Sequence, residues 1–425
     1  MAALWMYIDR VCLSTLADRM QKDLQFDGDQ KALILGAFFL AYALCQIPTG
    51  SLADRFGQRK VLTACIVGWS LVTAMTGFVE GFLGLLAVRL LLGIAEAGAY
   101  PAAAGLVKNW AMPTERGRFS SIVALGGRLG GAVAPFLTAF LAVAFIGWGP
   151  PHWTYEYETK RVVDGVEMAH AEILNWRAVF VFFGICGLLV AAVFWLVVRD
   201  RPTDAAPTAS VHGGPRPSFF AQLSILLFDR NMFLFATVQF GANVGWALLV
   251  TLLPTYLNER FGTPLNEIGQ KQTVTLLIGC AGMIMGGFVT DFLHGKFGPR
   301  WGRSLPICFA KAGCVVCCCL VPQFDSAWTV ILILGAMAFL VDLGNPSIWS
   351  LAQDVGGKNV GAALGWGNMF GNLGAFASPI LLTVVKDWYG WNVAFFVCAG
   401  FYASASIAGF LLNAGRPIAQ PGESR

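Results

Sequence analysis

Seven charged residues fall where the sequence is otherwise apolar: Asp9, Arg10, Arg89, Glu96, Arg128, Lys311 and Asp342. A charge at the centre of a membrane helix costs about 2.5–3.5 kcal/mol on insertion scales, so such residues line a cavity or pair with one another. Arg89 and Glu96 are seven positions apart, close to two helical turns, which puts them on one face about 10 Å apart along the axis. Asp9 and Arg10 are adjacent and diverge by about 100°, so one can face a cavity while the other faces a neighbouring helix. A guanidinium fork grips both oxygens of a carboxylate, and burial favours the protonated form of a carboxyl, which can then carry a proton near neutral pH. Two arginines and two acids in the first and fourth apolar segments are therefore the parts of an anion–proton symporter. The other reading is an ion-pair network that only fixes helix packing. Arg128, set among Gly126, Gly127, Gly130 and Gly131, is either a third anion contact or a packing or gating pair; the glycines themselves read as close helix packing. Lys311 is expected to snorkel towards a membrane surface. Asp342 faces a cavity or bonds to nearby Ser and Asn.

These residues need a membrane scaffold, and the composition supplies one. The length of 425 residues would suit about three soluble domains, but 56% of residues are hydrophobic and only 13% charged, against about 25% charged in a soluble protein. Mean hydropathy is +0.63. At roughly 20 apolar residues per crossing, twelve segments are predicted, at 1–17, 31–51, 61–79, 83–106, 119–147, 176–198, 231–257, 270–292, 304–322, 328–350, 359–384 and 391–413. The first is short before Asp9, and the expectation is that the natural start lies upstream of the recorded one. The expected organisation is a six-helix bundle at 1–198, a cytoplasmic linker at 199–230, a second bundle at 231–413 and a tail at 414–425. The element Gly50–Lys60 after the second segment is echoed by Gly286–Phe292, with Arg300 and Arg303 downstream, after the second segment of the second half, as expected of two halves rocking about a midplane site. Segments that face the cytoplasm with both termini inside carry sixteen Lys and Arg, against nine outside; that bias places both termini in the cytoplasm. The polar loop from Gly149 to Asn175 is assigned no chemistry.

Several classes are excluded. A net charge of +4 is far from a nucleic-acid binder. Nine of the eleven cysteines lie in apolar stretches and act as small hydrophobes. The four histidines lack ligand spacing, so no metal is expected. No HExxH and no phosphate loop occurs, which argues against an enzyme and against ATP as the energy source. No cofactor is expected.

At Gly50-Ser51-Leu52-Ala53-Asp54-Arg55-Phe56-Gly57-Gln58-Arg59-Lys60 the sequence resembles the loop signature of the major facilitator superfamily, GxLADRxGxRK. It looks most like the anion:cation symporter branch, which includes galactonate, hexuronate and phthalate carriers and sialin. The stretches that carry this are Tyr7-Ile8-Asp9-Arg10, Arg89 through Glu96 to Tyr100-Pro101, Trp110 through Pro113 to Glu115-Arg116-Gly117-Arg118, Leu253-Pro254-Thr255-Tyr256-Leu257, and Gly365 through Asn368 to Gly371-Asn372-Leu373-Gly374. The resemblance implies an all-α membrane fold of twelve transmembrane helices in two pseudo-symmetric bundles. It implies that Arg89 and Arg10 meet the substrate carboxylate and that Asp9 and Glu96 take the coupling proton. Tyr7 and Tyr42 match aromatic hydroxyls of the substrate site, and Gln239, Asn243, Trp349, Asn368 and Asn372 match its C-terminal contacts. Asp54 and Arg55 would form a cytoplasmic gate. Arg128 departs from the sugar-acid carriers and hints at a second anionic group on the substrate.

The expected function is import of a small organic anion, a sugar acid or other carboxylate, by proton symport in the plasma membrane, by a monomer with the lipid bilayer, the anion and protons as its partners. An anion exchanger or sodium-coupled carrier is the runner-up. A non-transporting anion sensor is a third reading, disfavoured because no long domain follows residue 413.

Overall fold

The computed structural model describes residues 1–163, 166–201, 219–263 and 265–418. The elements run α1 (Ala2–Asp23), α2 (Gly28–Phe56), α3 (Gln58–Thr76), α4 (Phe82–Glu96), α5 (Ala99–Trp110), α6 (Arg116–Ala144), β1 (Tyr155–Val163), β2 (Val166–Leu174), α7 (Trp176–Val197), α8 (Phe219–Phe228), α9 (Arg230–Ala247), α10 (Leu253–Phe261), α11 (Leu265–Leu320), α12 (Ala327–Val355), α13 (Val360–Tyr389) and α14 (Trp391–Leu411). Among the described residues, nine helical stretches are long and apolar enough to cross a membrane. One of them holds both arms of α11, which part at Gly298, a residue in the left-handed region with φ 72°. Counting those arms separately and adding α1 and α3 gives the expected twelve.

Prolines set the irregularities. Pro101 has no N–H to offer the carbonyl of Ala97 and its ring crowds that oxygen, so the fourth span breaks between Glu96 and Ala99 and Glu96 ends a helix. Pro254 does the same to Val250. There the chain widens to a π-helical turn over Leu248–Leu252, and Gln272 Nε2 donates to the freed Val250 carbonyl at 2.9 Å.

The polar stretch expected to be a plain loop contains a two-stranded antiparallel hairpin, with Tyr155 opposite Leu174 and Val163 opposite Val166. The expected linker contains the helix α8, whose Gln222 donates to Asn359 at 3.0 Å; positions 202–218 lie outside the described residues. Three basic residues expected in loops are buried. Arg177 donates to the carbonyls of Gly77 and Val79, Lys271 pairs with Glu267, and Arg303 is wholly enclosed.

The chain forms two compact units. One comprises Met1–Cys45, Leu62–Ala99 and Gly126–Val198; the other comprises Gln46–Val61, Tyr100–Leu125 and Arg199–Arg425. In the first, glycines bring backbones into contact. A Cβ at Gly130 would lie 2.2 Å from the carbonyl oxygen of Leu4, and one at Gly93 would lie 2.5 Å from that of Phe38. Only glycine permits either approach, and together they seat α1 on α6 and α4 on α2. Cysteines fill space in the core: Cys12, Cys314, Cys318 and Cys398 are fully buried.

Candidate functional site

In the first unit the close approaches at Gly130 and Gly93 place α1, α2 and α4 so that their polar residues meet. Arg10 Nε and Nη2 donate to Glu96 Oε2 at 3.1 and 2.8 Å. The Arg10 guanidinium is also boxed by rings, 4.8 Å from the centroid of Tyr7, 4.9 Å from Phe38 and 4.5 Å from Tyr42. Such faces attract a cation while shielding it from water. Arg89 lies over the same Phe38 ring at 5.4 Å.

The pairing is uneven. Arg89 is 4% exposed, and its buried Nε makes no hydrogen bond among the described residues. Asp9 is 1% exposed, and neither carboxyl oxygen has a hydrogen-bond partner there; Glu96 Oε1 has none either. Burying a polar group without a partner is unfavourable, and burying a lone charge far more so. A packing network would satisfy its members. This one leaves Arg89 Nε and both oxygens of Asp9 without hydrogen bonds among the described residues. Arg128 belongs to the same unit and is half-buried.

In the second unit, Gln239 Nε2 donates to Asn368 Oδ1 at 3.2 Å, and Asn368 Nδ2 to Gln46 Oε1 at 3.4 Å. Asn243 donates to the Gln239 carbonyl and Asn372 to the Asn368 carbonyl, each one turn back along its own helix. Trp349 stands edge-on to Tyr100, 4.9 Å between centroids. Thus Gln239, Asn243, Asn368 and Asn372 form one polar seam between α9 and α13. Among the described residues Trp349 is not joined to it by a hydrogen bond. Phe38 and Gln46 were missed: neither carries a charge, and only the fold reveals that one separates the arginines and the other extends the amide seam.

The Gly50–Lys60 element ends in a backbone clasp. Asp54 accepts from the amides of Gly361 and Ala362, both at 2.9 Å, in the first turn of α13. Arg55 is exposed and lies over Phe56. The echo in the second half does the same: Asp291 accepts from the amides of Gly117 and Arg118 at 2.8 and 2.9 Å, in the first turn of α6. Each carboxylate satisfies helix-start N–H groups and faces the positive end of a helix dipole. Beside the second clasp, Arg303 binds Asp354 at 2.8 Å, and Arg116 pairs with the same carboxylate.

A predominantly helical chain with nine apolar membrane-length stretches among the described residues, repeated aspartate clasps and a buried arginine–carboxylate cluster has the parts of a membrane carrier. The sequence profile of the Major Facilitator Superfamily matches residues 1–379, and the chain belongs to that family. It is 26% identical to a "probable sulfoacetate transporter" of Cupriavidus necator over 98% of this chain and 93% of that protein. It is 26% identical to a "probable L-galactonate transporter" of Escherichia coli over 99% and 88%, and 26% identical to the hexuronate transporter of Bacillus subtilis over 97% and 92%. Among solved structures, the E. coli fucose:proton symporter matches with a TM-score of 0.69 at 16% identity, over 96% of this chain and 97% of that one. The human organic anion transporter MFSD10 matches at 0.62 and 17%, over 96% and 97%. The chain is a multi-pass membrane transporter with the twelve-helix fold of this family.

Proposed function

We propose that this transporter imports a small organic anion by proton symport across the plasma membrane, with both termini cytoplasmic, alternating access and no cofactor. The observation that carries the reading is the imbalance at the buried cluster, where Arg89 Nε and both Asp9 carboxyl oxygens have no hydrogen-bond partner among the described residues. Arg10 and Arg89 bind the substrate's acidic group, with Arg128 a further anion contact and Tyr7 and Tyr42 lining the site. The amides Gln239, Asn243, Asn368 and Asn372, with Trp349, contact the rest of the molecule. Asp9 and Glu96 take up protons as the anion loads. The relatives' names bring sulfoacetate, L-galactonate and hexuronates forward as candidate substrates.

The test is uptake of these labelled anions by proteoliposomes under an imposed inward proton gradient. Accumulation that a protonophore abolishes is the expected result. Uptake that needs sodium at equal pH, or a counter-anion inside, would overturn proton symport in favour of the runner-up.

The gating role of Asp54 and Arg55 belongs to the same reading, with the clasp closed on one half of the cycle and released on the other. Asp54→Ala removes two charge-assisted bonds, worth about 2–3 kcal/mol together. Hydrogen–deuterium exchange at Gly361 and Ala362 is expected to quicken by roughly 30- to 150-fold, while Asp291→Ala does the same at Gly117 and Arg118. Unchanged exchange would show that the clasps do not hold these helix starts.

A further inference from the structure

The second unit buries an acid and a base that the scheme above leaves unused. Lys311, on the 299–320 arm of α11, and Asp342, on α12, are each 1% exposed. The Lys311 ammonium does not snorkel: it begins three turns inside its arm and donates to the carbonyl of Val341 at 3.3 Å. That carbonyl belongs to the residue before Asp342, so the ammonium sits at the α12 backbone within the field of the Asp342 carboxyl and of Cys314. From α14, Tyr402 shares the field of Asp342 with Cys314, Cys318 and Cys398; its hydroxyl is buried and makes no hydrogen bond among the described residues. The other arm of α11 contributes Gly279, where a Cβ would stand 2.9 Å from Asp342 Oδ2. Room is thus kept for a carboxyl inside an otherwise apolar cluster of Met337, Ala338, Val341 and Cys317.

The pair also lies on a working seam. α11 and α12 are bridged a second time by Arg303 and Asp354, eight residues from Lys311 and twelve from Asp342, and Asp354 is also held by Arg116. Opposite charges buried only as a strut are readily replaced by apolar packing, and ionisable groups at membrane depth are the usual parts of proton relays.

We infer that Lys311 and Asp342 form a second proton-binding site, which biases the α11–α12 seam during the transport cycle. Asp342 as carboxylate neutralises Lys311. On taking a proton it becomes a neutral acid, the pair gains one positive charge, and the Lys311 ammonium is left on the Val341 carbonyl alone. The electrostatic tie across the seam weakens, and loss of the proton restores it. The inference adds a site to the proton-symport reading and rests on it only for the direction of ion flow.

The test begins with infrared difference spectra of the full chain in lipid vesicles, titrated between about pH 5 and pH 9, which need no substrate. A protonated-carboxyl band that titrates in the unmodified chain, persists in Asp9→Asn and in Glu96→Gln, and vanishes in Asp342→Asn is the expected result. No band lost with Asp342 would overturn the proposal. The double variant Lys311→Met/Asp342→Asn removes both charges together, so neither is left buried without the other. With sulfoacetate or galactonate as the probe anion, it is expected to keep anion exchange and to lose about tenfold in accumulation per unit of pH difference. Unchanged accumulation in the double variant, or loss of its fold, would mark the pair as a strut and overturn the proposal. If no probe anion moves in the unmodified chain, the symport reading fails while the infrared titration still decides this site.

Discussion

Arg89→Ala is expected to weaken anion binding sharply without harming the fold. Arg89 stands over Phe38, its Nε has no partner among the described residues, and 4% of the residue is exposed. Removing one member of a buried, hydrogen-bonded charge pair costs about 2–5 kcal/mol of binding, so the affinity for the anion falls by roughly 30- to 3,000-fold. Arg89→Lys keeps the charge but loses the planar fork and should fall between. Stability gives the discriminating sign. A buried cation without a counter-charge is a burden on the anion-free protein, so Arg89→Ala is expected to leave the melting temperature unchanged or raise it. A packing arginine would do the opposite. Melting curves of the detergent-purified protein, with and without sulfoacetate, galactonate and hexuronate, read both effects. A lowered melting temperature with undiminished uptake would remove Arg89 from the binding site.

The site was legible where a charge stood out against an apolar background. Arg10, Arg89, Asp9 and Glu96 could be found that way because a membrane helix has few uses for a charge. Their partition was not legible. That Glu96 takes Arg10 and leaves Arg89 alone depends on α4 closing on α2 at Gly93 and on the helix ending at Glu96, which Pro101 brings about. The proline signal was in the sequence, but its consequence needed the register of two packed helices. A segment beginning at 304 puts Lys311 near a surface, whereas the arm begins just after Gly298 and the buried ammonium is turned onto the Val341 carbonyl. The hairpin between β1 and β2 had a local signal as well, the alternating Tyr155-Glu156-Tyr157-Glu158-Thr159 run and the Asp164-Gly165 dipeptide, a strong short-range hairpin pattern. The aspartate clasps were half legible. The repeat of Asp54 and Asp291 could be read, whereas the helix starts they hold lie far off in sequence.

Glu96→Gln is expected to uncouple the transporter while leaving it able to bind. Without anion, Glu96 Oε2 holds Arg10 through two hydrogen bonds and so competes with any incoming carboxylate for the same guanidinium. Protonation of Glu96 withdraws the competitor. Anion binding and proton uptake are therefore linked, and the sign follows: lowering the pH fills Glu96 with a proton, frees Arg10 and tightens binding, by about tenfold per pH unit for one linked proton. Glutamine has the shape of the protonated acid and cannot lose the proton. In Glu96→Gln the affinity should stay high and flat from about pH 5.5 to pH 8, exchange of internal for external anion should persist, and steady-state accumulation should fall about tenfold for each unit of pH difference. Asp9→Asn tests the other carboxyl in the same assay. Because it makes no hydrogen bond to Arg10, its loss should lower accumulation without flattening the pH dependence that Glu96 imposes. If binding in Glu96→Gln kept the slope of the unmodified protein, the Arg10–Glu96 pair would not be the switch, and the linked proton would have to sit elsewhere.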